Sequence, residues 1–302
     1  MLTPPYLNPG DAVGLVCTAR KITALELAPA LDIIKEWGFT PVLGATIGAV
    51  DNQYGGDDKA RAADLQSMLD NPAIKAIFIA RGGYGTVRIV DRLNWDKFTD
   101  DPKWIVGYSD VTVLHSHITG NLGIETLHAA MPLNYATNTP EALGSIRRAL
   151  TGGPLFYQWE TQTLDQPGQG TGTIAGGNLS ILYSLAGTAS DIDTKGKILF
   201  LEDLDEYLYH IDRMMMQLKR SGKLAHLAGL VVGGFSDMKD NAVPFGKTAE
   251  HIAYEHTAEY GYPVAFGFPA GHIHDNRSLI IGRDAELLVG QGGNRLALLG
   301  SQ

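Results

Sequence analysis

Short, unbroken apolar runs separated by helix-like stretches fill the first half of the chain and restrict what it can fold into. Ala12–Cys17, Ile74–Ala80 and Trp104–Val106 are strand candidates without polar alternation, and Pro41–Leu43 is a shorter one. A strand that is apolar on both faces has to be covered on both faces, which is the habit of parallel sheets. The stretches between carry helix signals. Thr23-x-x-Glu26 is a capping box ahead of Leu27, Leu31 and Ile34, with Gly38 as the stop. Asp57 can cap a segment bearing Ala62, Leu65 and Leu69. Thr86–Leu93 would turn Val87, Val90 and Leu93 inward, Val111–Ile118 begins another helix, and Thr139-Pro140 starts one with proline at its first position. This β-α rhythm predicts an α/β fold with a parallel sheet.

Composition shifts at Thr151. The segment Thr151–Gly177 is rich in Gly, Thr, Gln and Pro, lacks helical periodicity, and reads as a linker with one strand at Leu155–Trp159. Beyond it, Ile198–Leu201, Leu230–Val232 and Val264–Phe268 read as strands. Helices are expected over Leu208, Ile211, Met215 and Leu218 and over Thr248–Tyr260. The end, with Leu279–Ile281, Glu286–Val289 and Arg295–Leu299, looks like short antiparallel strands. The expected organisation is a Rossmann-like or flavodoxin-like parallel domain over 1–150, a linker over 151–177, and a smaller mixed α/β domain over 178–302. A net charge of −9 argues against a nucleic-acid partner, though one arginine can bind a small acid whatever the global charge. The single cysteine, Cys17, excludes an intrachain disulfide and sits in an apolar run, so it is expected to pack as a small hydrophobe. No apolar stretch reaches membrane-spanning length, and the first residues lack the regions of a secretory signal, so a cytoplasmic location is expected.

Chemistry-bearing residues fall at strand ends, where α/β sites open. Ser109 follows the run Trp104–Val106 in Gly107-Tyr108-Ser109 and precedes a helix. A serine on such a tight turn projects its hydroxyl, and the backbone N–H behind it can serve as half of an oxyanion hole. The second glycine of G-x-S-x-G is missing, Val111 standing there, and a G-x-S turn alone is more often only a turn. Arg81-Gly82-Gly83-Tyr84-Gly85 follows Ile74–Ala80 and could bring backbone N–H groups to an anion, or be a plain tight turn. Its spacing fits neither G-x-G-x-x-G nor a P-loop. Glu202, the first acid after Leu199–Leu201, is the least solvated of four, which could otherwise form a solvated helix start. His272 lies in a Pro/Gly loop after Val264–Phe268. His272-x-His274 also invites a metal reading, but no further ligand at a clear spacing accompanies it, and His115 and His117 would face different sides of a helix. Ser109, Glu202 and His272 thus stand in the chain order of a hydrolytic triad, and activity would fall as the histidine protonates, below about pH 6 for an ordinary pKa.

At these residues the chain resembles the L,D-carboxypeptidases, or muramoyltetrapeptide carboxypeptidases, a family that includes the microcin C self-immunity peptidases. The matching segments are Ile79–Gly85, Gly107–Asp110, Gly176–Ser180, Leu201–Asp203 with Ile211–Met214, and Gly271-His272. The resemblance implies a serine peptidase on Ser109, Glu202 and His272, with an oxyanion hole from the N–H groups of Asp110 and Gly83. It implies two domains with the site in the cleft between them, a homodimer, and no cofactor or metal. The implied reaction removes the terminal D-alanine of a murein tetrapeptide in cytoplasmic peptidoglycan recycling. Gly82 and Tyr84 would line the substrate site, and Arg81 would either bind the substrate's carboxylate or only support the loop. Three rivals stay open. One is a microcin-type immunity peptidase, for which Trp159, Tyr157 and Tyr183 could stack on a nucleobase. The others are a non-catalytic anion binder and a metal-dependent hydrolase on His272 and His274.

Overall fold

The computed structural model describes residues 1–300. Strands β1 (Ala12–Val16), β2 (Thr40–Leu43), β3 (Ile74–Ile79), β4 (Trp104–Gly107) and β5 (Thr126–His128) form a parallel sheet in the order β5-β4-β3-β1-β2. Helices α1 (Ala24–Glu36), α2 (Asp58–Asp70), α3 (Asp96–Asp100), α4 (Thr112–His117) and α5 (Pro140–Leu150) accompany it. The Thr23–Glu26 capping box forms, and Asp57 caps α2 through the Ala60 N–H. Thr86–Leu93 is not the helix its periodicity suggested but two 3-10 turns, Thr86–Arg88 and Val90–Arg92. The β-branched Thr86, Val87, Ile89 and Val90 crowd a helix, and no side chain caps its start.

The second sheet comprises β6 (Phe156–Trp159), β7 (Gly168–Asn178), β8 (Ile198–Leu204), β9 (Gly229–Ser236) and β10 (Val264–Ala265), with α6 (Leu179–Leu185), α7 (Leu208–Arg220) and α8 (Ala249–Thr257) beside it. Then β11 (Leu279–Ile281) crosses back to pair antiparallel with β5. β12 (Asp284–Val289) and β13 (Asn294–Leu298) close the second sheet, whose order is β10-β9-β8-β7-β12-β13-β6. The segment 151–177, read as a linker with one strand, holds two, because β7 hides behind its glycines. Those glycines answer to neighbours: a Cβ on Gly170 would collide with the Ala228 carbonyl, and one on Gly172 would lie 2.5 Å from the Gly196 carbonyl oxygen.

Alternation along the strands explains how the sheets stack. On β3, Phe78 joins a central cluster while Ile77 and Ile79 face a second one with Leu65 and Leu114. On β8, Phe200 enters the same central cluster, whereas Leu199 and Leu201 pack with Ile211 and Met215 of α7. One apolar core, including Trp104, Val106, Phe200 and Phe268, is therefore shared by both sheets. Among the described residues no helix is long and apolar enough to cross a membrane.

Candidate active site

Ser109 occupies the turn between β4 and α4 with φ +62°, a left-handed conformation that costs a residue with a side chain about 1–2 kcal/mol. The turn is tight on the other side: a Cβ on Gly107 would come within 2.8 Å of Val111 Cγ2. Val111 thus fills the space over Gly107, and closeness at this elbow is supplied by Gly107 and not by a second glycine. The Gly107 carbonyl accepts from the Ala129 N–H at 3.1 Å and contacts His115 Nε2 at 2.9 Å, while His115 Nδ1 meets the Thr126 hydroxyl at 2.8 Å. Full burial pushes the His115 pKa down to about 4, partly opposed by the Gly107 contact, so the ring stays neutral behind the elbow. The side chain of Asp110 turns inward and accepts the Thr86 N–H at 2.9 Å. Burial raises its pKa, against the hydrogen bonds from Thr86.

The glycine loop runs beside the serine. A Cβ on Gly82 would sit 3.4 Å from Ser109 Cβ and 3.0 Å from Met131 Cε. Gly83 (φ +117°) and Gly85 (φ +150°) use backbone conformations that side chains disfavour. Beneath Gly85 lies the buried Arg61, whose guanidinium donates to the Gly85 carbonyl at 3.1 Å and to the Gly56 carbonyl at 3.2 Å. Arg81 donates to the Lys21 carbonyl at 3.1 Å and stands 3.9 Å from Glu26. Tyr84 is exposed. Arg20, a residue that sequence reasoning passed over, lays its stem across Gly83. Its position just past the C-terminal end of β1 was the available signal.

Glu202 and His272 come from the second sheet and the loop after β10. The β8–β9 register shifts between Leu201 and Asp203, so Glu202 stands at a bulge, the kind of irregularity that re-aims a side chain. It is fully buried, and Oε2 lies 2.6 Å from His272 Nδ1. That contact fixes the tautomer with the proton on Nδ1 and leaves Nε2 as an acceptor. Burial pulls the His272 pKa down, but the Glu202 charge and its hydrogen bond outweigh burial, so the net shift is upward. Gly271, at φ +105°, is required by this closeness, since a Cβ there would be 2.7 Å from Glu202 Cβ. The loop is held by the Gly271 N–H on Asn276 Oδ1 and by Ser236 Oγ on the His272 carbonyl, each at 2.8 Å. Asp203 turns the other way, accepting from Asn178 Nδ2 and the Ser180 N–H at 2.9 Å each. Burial, then the charge of Glu202, pushes its pKa up to about 7.

The two halves meet at Tyr108. Its ring lies 4.7 Å from that of His272, and the next residue is Ser109. Among the described residues no hydrogen bond joins Ser109 to His272, whose one side-chain partner is Glu202. Above the elbow, the Asn178 N–H donates to Thr112 Oγ1 at 3.1 Å, tying α4 to the end of β7. His274 is elsewhere, its Nδ1 3.1 Å from the Thr137 carbonyl, and His117 meets Ser190 at 3.0 Å. Among the described residues no three His, Cys, Asp or Glu side chains gather as metal ligands would. Of the aromatics offered for stacking, Tyr157 is buried with its hydroxyl on the Ser278 carbonyl, Trp159 donates to the Phe266 carbonyl, and Tyr183 is exposed on α6.

Comparison with known proteins covers both halves. Residues 13–129 match the LD-carboxypeptidase N-terminal domain, and residues 171–287 match the LD-carboxypeptidase C-terminal domain. A probable murein peptide carboxypeptidase of Bacillus subtilis is 36% identical over 296 residues, covering 94% of this chain and 91% of that protein. The crystal structure of muramoyltetrapeptide carboxypeptidase from Oxalobacter formigenes superimposes with a TM-score of 0.87 at 26% identity, covering 96% of this chain and 99% of the other. A microcin self immunity protein in complex with aspartyl sulfamoyl adenosine superimposes with a TM-score of 0.88 at 21% identity over 99% of both chains, a likeness of fold.

Proposed function

The chain belongs to the LD-carboxypeptidase family and is a serine carboxypeptidase, and on that footing we propose that it releases the terminal D-alanine of murein tetrapeptides through Ser109, His272 and Glu202. The observation that carries the reading is the buried Glu202–His272 pair at 2.6 Å, one aromatic ring away from a serine at positive φ. His272 Nε2 takes the Ser109 proton as Oγ attacks the carbonyl of the L-centre before D-alanine. The charge that develops on the carbonyl oxygen is met by the N–H groups of Asp110 and Gly83. Collapse breaks the C–N bond, and His272 returns the proton to the departing amine. Water then attacks the acyl-serine, giving a proton to His272; the bond from the acyl carbon to Ser109 Oγ breaks, His272 returns the proton to Oγ, and the tripeptide leaves with a new carboxylate. Glu202 keeps the imidazole oriented and stabilises its protonated form.

In this scheme Gly82 lets the loop lie against Ser109, and Tyr84 borders the substrate. Arg81, already committed to the Lys21 carbonyl and Glu26, supports the loop. The name of the Bacillus relative favours a murein peptide, and peptidoglycan recycling is the setting that product would serve. A nucleotide-linked toxin has less support, because Tyr157 is buried and both Tyr157 and Trp159 pack against the core ring of Phe268. The test is mass spectrometry of products from a murein tetrapeptide. Wild type should release D-alanine and Ser109→Ala should not; equal release from both would overturn the serine mechanism, and release by neither would turn the search to aminoacyl-nucleotides.

A further inference from the structure

We infer that Arg20 recognises the free carboxylate of the substrate's last residue and so makes the enzyme act only at chain ends, an assignment that rests on the carboxypeptidase reading above. Arg20 enters the site from the C-terminal edge of the first sheet. Its N–H donates to the Gly82 carbonyl at 3.3 Å, and its backbone bridges to Tyr54. The side chain then runs across Gly83: a Cβ on Gly83 would fall 2.7 Å from Arg20 Cγ and Cδ and 2.9 Å from Nε. The absence of a side chain at 83 is what gives the arginine its path over the loop. Gly82, next along, is the residue whose Cβ position lies 3.4 Å from Ser109 Cβ.

The other arginines around this loop are engaged. Arg61 holds the Gly85 carbonyl, Arg81 the Lys21 carbonyl, and Arg88 pairs with Asp58 at 2.7 Å. Arg20 is exposed, and its guanidinium has no hydrogen bond or ion pair among the described residues. In a chain of net charge −9, a guanidinium left without an acid over the glycine loop that borders Ser109 is a site for an acid from outside. A carboxypeptidase substrate supplies one. With the scissile carbonyl against Gly83 and Asp110, the terminal carboxylate is one residue further on, and a guanidinium fork binds a carboxylate through two parallel hydrogen bonds.

The experiment compares kcat/KM on two substrates, a murein tetrapeptide ending in free D-alanine and the same peptide ending in D-alaninamide. Wild type should prefer the acid, and Arg20→Ala should lose about 10- to 100-fold on the acid, mainly in KM, with little change on the amide. The preference should collapse. Arg20→Lys keeps the stem over Gly83 and loses the fork, so it should fall between; it also carries the test if the alanine variant does not fold. Equal losses on both substrates, or a preference that survives both substitutions, would overturn the assignment and leave Arg20 a support for the loop. A wild type that hydrolyses neither peptide would instead refute the function proposed above, and this inference with it.

Discussion

A carboxylate sealed from water needs its charge answered, and Glu202 has one partner for that, His272 at Oε2; Oε1 has none among the described residues. The pair is therefore strongest when the imidazole is protonated, and the His272 pKa is raised for that reason despite burial. The consequence for rate has a definite sign. The base must be neutral to accept a proton, so activity is lost as pH falls through a value above that of an ordinary histidine, not below about pH 6 as an unshifted pKa would give. Glu202→Gln removes the charge while burial remains. Its acidic limb should move to lower pH and its plateau rate should fall by about 10³- to 10⁴-fold. A pH–rate profile with an unmoved limb would show that Glu202 does not tune the base.

Elements differ in how openly the sequence announces them. β1, β3 and β4 were legible because each is an apolar run that ends where a parallel strand must. The position of Ser109 just past β4 was legible for the same reason, but Glu202 lies inside β8, which runs on to Leu204, and His272 lies in the loop well past β10, which stops at Ala265. β7 was not, since its glycines are chosen by the backbones they pass and carry no apolar pattern. Nor was the return of β11 to the first sheet, which depends on long-range pairing with β5. Arg20 escaped because it pairs with nothing in its own neighbourhood of the chain. The loop from Gly271 to Asn276 shows what such hidden contacts support. Asn276→Ala would leave the buried Gly271 N–H without its acceptor, at a cost of about 1–3 kcal/mol. Melting temperature and kcat should both drop while KM stays near its wild-type value; an unchanged kcat would mean that the loop holds His272 without this bond.

At the scale of the molecule, Ser109 and the Glu202–His272 pair, the groups proposed to react, are carried by different sheets, and what registers them is the core those sheets share. Phe200 sits in it two residues before Glu202, edge-on to His128 at 4.9 Å and to Phe268 at 6.1 Å. Phe200→Ala should cost about 3–5 kcal/mol through the cavity it opens. Because the core is common property, calorimetry should show one transition moving to lower temperature; separation into two would indicate that each sheet melts with its own helices.

The left-handed turn at Ser109 sets stability against activity. Glycine is the residue that backbone would choose, and Ser109→Gly should be more stable than Ser109→Ala by about 1 kcal/mol, both variants being inactive. Thermal melts of the two decide it, and an alanine variant equal to the glycine one would mean the turn relaxes on losing its hydroxyl. A lineage selected only to stay folded would drift toward glycine at this position. On the proposed mechanism serine stands there at a thermodynamic disadvantage that its reaction offsets, which is how a residue kept for chemistry differs from one kept for the fold.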